Sequence, residues 1–199
     1  MIISVTNRLL CKGDFIERIE QIAKELPYSI ILREKDLLPE EYEQLAGFCL
    51  KICNKYKVPL VINSHIAIAK KLEIPNVHLP MKLFLKHSRE LDSFKSIGVS
   101  VHSLEEAKCA QALGASYLIV GHIFETDCKK GVPPRGLNFL RQVCEAVTIP
   151  VFAIGGISLL NASDVLEAGA AGVCVMSQLM TCQKPEEVLK SYHNILDIN

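Results

Sequence analysis

The sequence predicts a (β/α)8 barrel, a single α/β domain over residues 1–199, and three observations predict it. Short β-branched runs alternate with longer amphipathic ones from one end of the chain to the other, the rhythm of repeated βα units. Eight such units can be counted, the number that closes a parallel sheet into a barrel. The first βα junction, Thr6-Asn7-Arg8-Leu9-Leu10, lacks the glycine-rich turn of a dinucleotide-binding open sheet. At 199 residues the chain is a compact example of a fold that usually runs to roughly 250.

Strands are expected at about 2–6, 29–34, 59–63, 76–79, 97–101, 116–121, 150–154 and 172–176. Helices are expected near 14–25, 40–56, 65–73, 85–95, 104–113, 137–146, 159–168 and 185–196. Pro39-Glu40-Glu41 and Ser103-Leu104-Glu105-Glu106 read as helix starts, one with proline in the first turn and one with a serine cap followed by acids. Gly114 and Gly169 fit helix ends. Pro59 and Pro150 stand just before strands, where a missing backbone donor is tolerable.

Lys+Arg and Asp+Glu are equal at 22, so nothing in the charge balance calls for nucleic acid or an anionic membrane as partner. Met1-Ile2-Ile3-Ser4-Val5 lacks the features of a signal peptide, and no apolar run approaches the roughly 18 to 20 residues that span a bilayer. A cytoplasmic protein with a small-molecule partner is expected. The eight cysteines are scattered through predicted helices and strands, so most are expected to be small buried hydrophobes rather than disulfide partners. Cys49 and Cys53 share a helical face, yet no second pair completes a zinc site.

In a parallel barrel the C-terminal strand ends surround one mouth, and ligands bind there. His122 follows the apolar run Tyr117-Leu118-Ile119-Val120 and Gly121, so it stands at that mouth, where an imidazole can move protons near neutral pH. Ile31, Arg33 and Lys35 share parity, and two cations among apolar neighbours suggest an anion, with Arg33 suited to bidentate contact. Strand 3 ends at Asn63-Ser64, and Ser100 and His102 share parity on strand 5. His78 reads as a satisfied interior histidine and His65 as a surface one. No His-x-His pair or matching carboxylates support a metal centre, so neither metal nor cofactor is expected. Gly155 and Gly156 after strand 7, with Met176 and Ser177 after strand 8, occupy the loops that recurrently bind phosphate in barrels. The long loop from His122 to Gly136 could close over substrate; Cys128 within it carries no sign of a covalent role.

Leu32-Arg33-Glu34-Lys35, Val61-Ile62-Asn63, Val77-His78-Leu79, Gly98-Val99-Ser100-Val101-His102-Ser103, Ile123-Phe124-Glu125-Thr126 and Ala153-Ile154-Gly155-Gly156-Ile157 together resemble the thiamine phosphate synthase superfamily over nearly the whole chain. That resemblance implies a (β/α)8 barrel, a role in thiamine biosynthesis, and a possible homo-oligomer. It also implies substrate contacts from Arg33, Lys35, Asn63, Ser100, His102, Thr126 and Lys129.

The superfamily has a synthase branch and a thiazole tautomerase branch of the TenI type. The synthase pattern has glutamine before the strand-2 arginine, and aspartates after the strand-3 asparagine and in the loop after strand 4. Here those positions hold Ile31, Ser64 and Leu83. The aspartates serve the magnesium that accompanies a pyrophosphate leaving group. The synthase also has proline at His122 and threonine at Cys128, whereas Gly121-His122 with Glu125-Thr126-Asp127-Cys128-Lys129-Lys130-Gly131 resembles the tautomerase loop. The expectation is therefore an isomerase acting on a phosphorylated thiazole carboxylate, with His122 as catalytic base and acid. The alternatives are a divergent thiamine phosphate synthase and a non-catalytic regulatory protein that binds thiazole or thiamine phosphate.

Overall fold

Alternation along each strand sends successive side chains to opposite sides of the sheet, and here both sides are buried. The computed structural model describes residues 1–197. Its strands are β1 (Ile2–Val5), β2 (Ser29–Leu32), β3 (Leu60–Asn63), β4 (Asn76–Pro80), β5 (Ser96–Val101), β6 (Tyr117–Gly121), β7 (Val151–Ile154) and β8 (Gly172–Val175). Each pairs in parallel with the next, and β1 pairs with β8, so the sheet closes in sequence order and leaves no edge. The expected strands all form, each end within two residues of its predicted position.

One side of the barrel wall packs against the helices through Ile30, Leu32, Ile62, Val77, Leu118, Val120 and Val173. The other side fills the barrel with Ile3, Val5, Ile31, Val61, Tyr117, Ile119, Phe152 and Cys174. This two-sided burial is why the strands read as unbroken aliphatic runs. Each fully buried large side chain contributes about 1.5–3 kcal/mol through water exclusion.

The helices are α1 (Phe15–Lys24), α2 (Pro39–Tyr56), α3 (Ile66–Lys71), α4 (Met81–His87), α5 (Leu104–Ala112), α6 (Gly136–Ala146), α7 (Ala162–Glu167), α8 (Ser177–Thr181) and α9 (Pro185–Asp197). Pro39 opens α2, and the Glu41 carboxylate accepts the Leu38 amide at 3.0 Å. Ser103 caps α5 by accepting the Glu106 amide at 3.1 Å. Gly114 and Gly169 follow their helices at φ +90° and +95°, where a side chain would be strained.

Four expectations are corrected. The helix predicted at 85–95 begins four residues earlier and ends at His87, because it starts straight from Pro80 at the end of β4 and the chain turns tightly after His87. The helix predicted from 159 begins at Ala162, since Asn161 Oδ1 holds the Ser158 amide at 2.8 Å in a preceding turn. After β8 the chain does not run in a loop but forms the short α8 before α9. All eight cysteines are free thiols, and only Cys49, Cys53 and Cys174 are buried, so the expectation that most are core residues fails.

Glu34 is 2% exposed and ties the ends of β1 and β2 together. It accepts the Thr6 hydroxyl at 2.5 Å and the Arg8 amide at 2.8 Å, while Thr6 Oγ1 in turn accepts the Arg33 amide at 2.9 Å. Burial pushes the Glu34 carboxyl above its ordinary range, opposed by the Thr6 and Arg8 hydrogen bonds. Glu34→Ala leaves the Arg8 amide and the Thr6 hydroxyl without their acceptor. We expect it to destabilise the chain by about 2 kcal/mol, lowering Tm by roughly 4–8 °C in calorimetry.

Candidate functional site

The C-terminal strand ends surround a pocket of about 240 Å³ lined by Val5, Arg33, His102, Gly121, His122, Thr126, Cys128, Lys129, Ile154, Gly155, Gly156, Ile157, Cys174, Val175, Met176, Ser177 and Gln178. Nine of the residues anticipated from sequence meet here: Arg33, His102, His122, Thr126, Lys129, Gly155, Gly156, Met176 and Ser177. Lys35, Asn63 and Ser100 are not among its lining residues.

One wall is made where the loop after β6 lies on the turn after β7. The Ile123 and Phe124 amides donate to the Ile154 and Gly155 carbonyls, each at 3.0 Å. At that seam a Cβ on Gly155 would strike the His122 side chain, and one on Gly156 would meet Phe124 Cβ at 2.7 Å. Both glycines also take positive φ, +95° and +67°. The turn therefore needs glycine for space as well as for conformation. Among the described residues, the amides of Gly156, Ile157 and Ser177 meet no hydrogen-bond acceptor. They lie on the pocket and can receive an oxyanion.

His122 is 8% exposed, and its Nε2 donates to the Val132 carbonyl at 3.1 Å. A carbonyl can only accept, so Nε2 carries a hydrogen, and the bond ties the far part of the loop back to the end of β6. The Gly121–His122 peptide is cis. Arg135 closes the same loop by donating its amide to the His122 carbonyl at 3.0 Å. His102 is exposed, and its Nδ1 donates to the Gly121 carbonyl at 3.1 Å.

The same pocket is also cationic. Arg33 and Lys129 line the pocket, and no Asp or Glu does. Lys35 is held below its ordinary value first by the neighbouring Arg33, then by burial and by Lys129, so the three cations share one field. None has an ion-pair partner among the described residues, whereas Arg8 is paired with Asp36 and Lys130 with Asp127.

Asn63 and Ser100 are committed elsewhere. Asn63 donates its side-chain amide to Ser64 Oγ at 2.9 Å. Ser100 sits 2.7 Å from Nε2 of His78, whose Nδ1 is 3.3 Å from the Tyr117 hydroxyl. Gly98 makes this cluster possible, because a Cβ there would occupy the space of the Tyr117 ring and of His78 Nδ1. His78 is thus the satisfied interior histidine that its position suggested. His65 is half-buried and packs its ring on Tyr42 at 4.1 Å between centroids, not the plain surface residue anticipated.

Val5, Ile154, Cys174 and Gln178 were not anticipated. Inward parity at their strand ends could have found the first three. Gln178 belongs to α8, which had no recognisable start signal; its Oε1 accepts the Tyr192 hydroxyl at 2.8 Å.

The magnesium implied by the family resemblance does not fit these residues. The described residues contain no cluster of three or more His, Cys, Asp or Glu able to hold a metal. At the ends of β3 and β4 stand Ser64 and Leu83, the latter packed on the core. Glu34 and Asp36, the acids after β2, are occupied by Thr6 with the Arg8 amide and by the Arg8 guanidinium.

The chain matches the family described as thiamine monophosphate synthase over residues 2–179. It is 36% identical over 198 residues to the thiamine-phosphate synthase of Clostridium acetobutylicum, covering 98% of this chain and 94% of that protein. A thiamine-phosphate synthase of Halalkalibacterium halodurans is 36% identical over 171 residues, covering 84% and 81%. Among solved structures, the thiamine phosphate pyrophosphorylase of Pyrococcus furiosus superposes with a TM-score of 0.86 at 27% identity, covering 99% of this chain and 95% of that one.

These relatives overturn the expected isomerase assignment. That expectation weighed one exposed loop and a few missing acids against a likeness that runs the full length of the chain. Loop residues change cheaply, and a missing metal ligand speaks to how charge is balanced rather than to which bond is made. The proton-relay role assigned to His122 falls with it.

Burial first, and Arg33 second, hold the His78 imidazole well down, at about 3. The sign follows directly: below about pH 6.5 the unfolded ring binds a proton that the folded one refuses, so stability falls as pH drops from there toward 3. NMR titration should find the His78 ring neutral and unshifted at every pH above 5; a midpoint near 6.5 would show that the His78–Ser100–Tyr117 cluster is open to water.

Proposed function

Because the chain belongs to the thiamine monophosphate synthase family, we propose that it makes thiamine phosphate by joining a thiazole phosphate to a pyrimidine carried as its pyrophosphate. The family is enzymatic, and the reaction is a group transfer. The carbon–oxygen bond to the pyrophosphate breaks, and a bond forms between that carbon and the thiazole ring nitrogen. Pyrophosphate leaves with the electron pair of the broken bond.

The observation that carries this reading is that one pocket is lined both by unpaired backbone amides and by unpaired cations. Free amides at Gly156, Ile157 and Ser177 suit a phosphate monoester, the end of the thiazole substrate. Arg33 and Lys129, with Lys35 beside them, suit the more highly charged pyrophosphate. In the same pocket, Val5, Ile154 and Cys174 offer an apolar floor for two stacked or abutting rings. Cations fixed at the leaving group favour the transition state, because charge on the pyrophosphate grows as its bond to carbon lengthens. His122 then serves as a positioning residue, holding Val132 and the loop over the bound substrates.

Incubating the chain with the pyrimidine pyrophosphate and the thiazole phosphate should release pyrophosphate and thiamine phosphate in equal amounts by chromatography. Binding of both substrates without turnover would instead favour a ligand-binding protein. Arg33→Ala should lower kcat/KM by about a hundredfold, the loss of a charge-assisted contact. Gly156→Ala, strained at φ +67°, should raise KM for the thiazole phosphate with less effect on KM for the pyrophosphate substrate. His122→Ala should cost about tenfold in kcat/KM through the loosened loop. A loss beyond about a thousandfold would make the imidazole part of the chemistry.

A further inference from the structure

We infer that this chain binds pyrophosphate with its own cations, without a divalent metal. The inference rests on the synthase reading above and concerns how the leaving group is neutralised. In that chemistry a metal ion needs several hard anionic oxygens, yet no Asp or Glu lines the pocket and the described residues hold no cluster of three or more His, Cys, Asp or Glu able to bind one. Ser64 stands where the resemblance calls for an aspartate, at φ +66°, the left-handed region that Asp and Asn tolerate better than most residues. The backbone seat is therefore kept while its carboxylate is gone. Ser64 Oγ, a neutral oxygen, is moreover taken up by the Asn63 side-chain amide.

The positive charge at the same mouth is in surplus. Arg33, Lys35 and Lys129 repel one another strongly enough to hold the Lys35 ammonium down, and no acid among the described residues relieves them. Such a field costs stability in the free protein and is relieved by a polyanion. An added aspartate-held magnesium would compete with these cations for the same phosphate oxygens. Removing the carboxylates leaves the three side chains as the whole counter-charge. The Thr6–Glu34 pair fixes the backbone at Arg33, whose side chain lines the pocket.

The test is calorimetric titration of inorganic pyrophosphate into the full chain, once in EDTA and once in excess magnesium. Affinity in EDTA should equal or exceed that in magnesium, because magnesium withdraws free pyrophosphate into its own complex. Lys129→Ala should weaken binding in EDTA about tenfold. Binding at least about tenfold tighter with magnesium would overturn the inference, as would a Lys129→Ala chain with the parent's affinity in EDTA. The outcome is separable from the synthase reading. Thiamine phosphate formation with magnesium-dependent pyrophosphate binding retains the reading and removes the inference. Metal-free binding without thiamine phosphate formation does the reverse.

Discussion

The pocket depends on the contact between His122–Glu125 and Gly155–Gly156, where two loops run closer than any side chain on the second would allow. Strand order places those loops side by side, because β6 and β7 are adjacent in the closed sheet. Once the glycines admit the neighbouring loop, the Gly156 and Ile157 amides are left without a partner in the turn, on residues that line the cavity. The same contact sets the imidazole of His122 beneath Val132, so the long loop is anchored at both ends of its span. The unpaired amides and the placement of the loop are thus consequences of one steric condition.

Among the cations the organising force is electrostatic. A pair of unit charges about 4 Å apart interacts by roughly 4 kcal/mol at the effective dielectric of a protein surface, so three cations without acids are costly to assemble. Neighbouring structure preserves that unneutralised field. Glu34 is held by Thr6 and the Arg8 amide, and Asp36 by the Arg8 guanidinium, which keeps both acids from collapsing onto Arg33. The buried His78 cluster stays neutral beside the same guanidinium and adds no further charge.

How much of this could be read from sequence follows from what each signal depends on. Strands buried on both faces announce themselves by β-branched runs, so Tyr117–Gly121 and its counterparts stood nearly where expected. Inward parity then identified Arg33, and loop ordinals identified Gly155, Gly156 and Ser177. Helix starts without caps were poorly legible: α4 begins straight from Pro80, and α8 is too short for a periodic pattern. Ser100 and Asn63 have the right parity but lose their polar groups to His78 and Ser64, contacts between strands that no local pattern contains. The choice of reaction went astray because it was drawn from Ile31, Ser64, Leu83 and the loop from Gly121 to Gly131, positions that report on local charge and loop packing.

The placement of these groups bears on the proposed synthase reaction. The amide cradle lies at the glycine turn after β7 and at Ser177, while the cations stand on the loops after β2 and β6. On that proposal a thiazole tethered through its phosphate at the cradle would present its ring over Val5, Ile154 and Cys174. Arg33 and Lys129 would then meet the pyrophosphate of the other substrate. The spacing between cradle and cations would thereby govern attack and departure together.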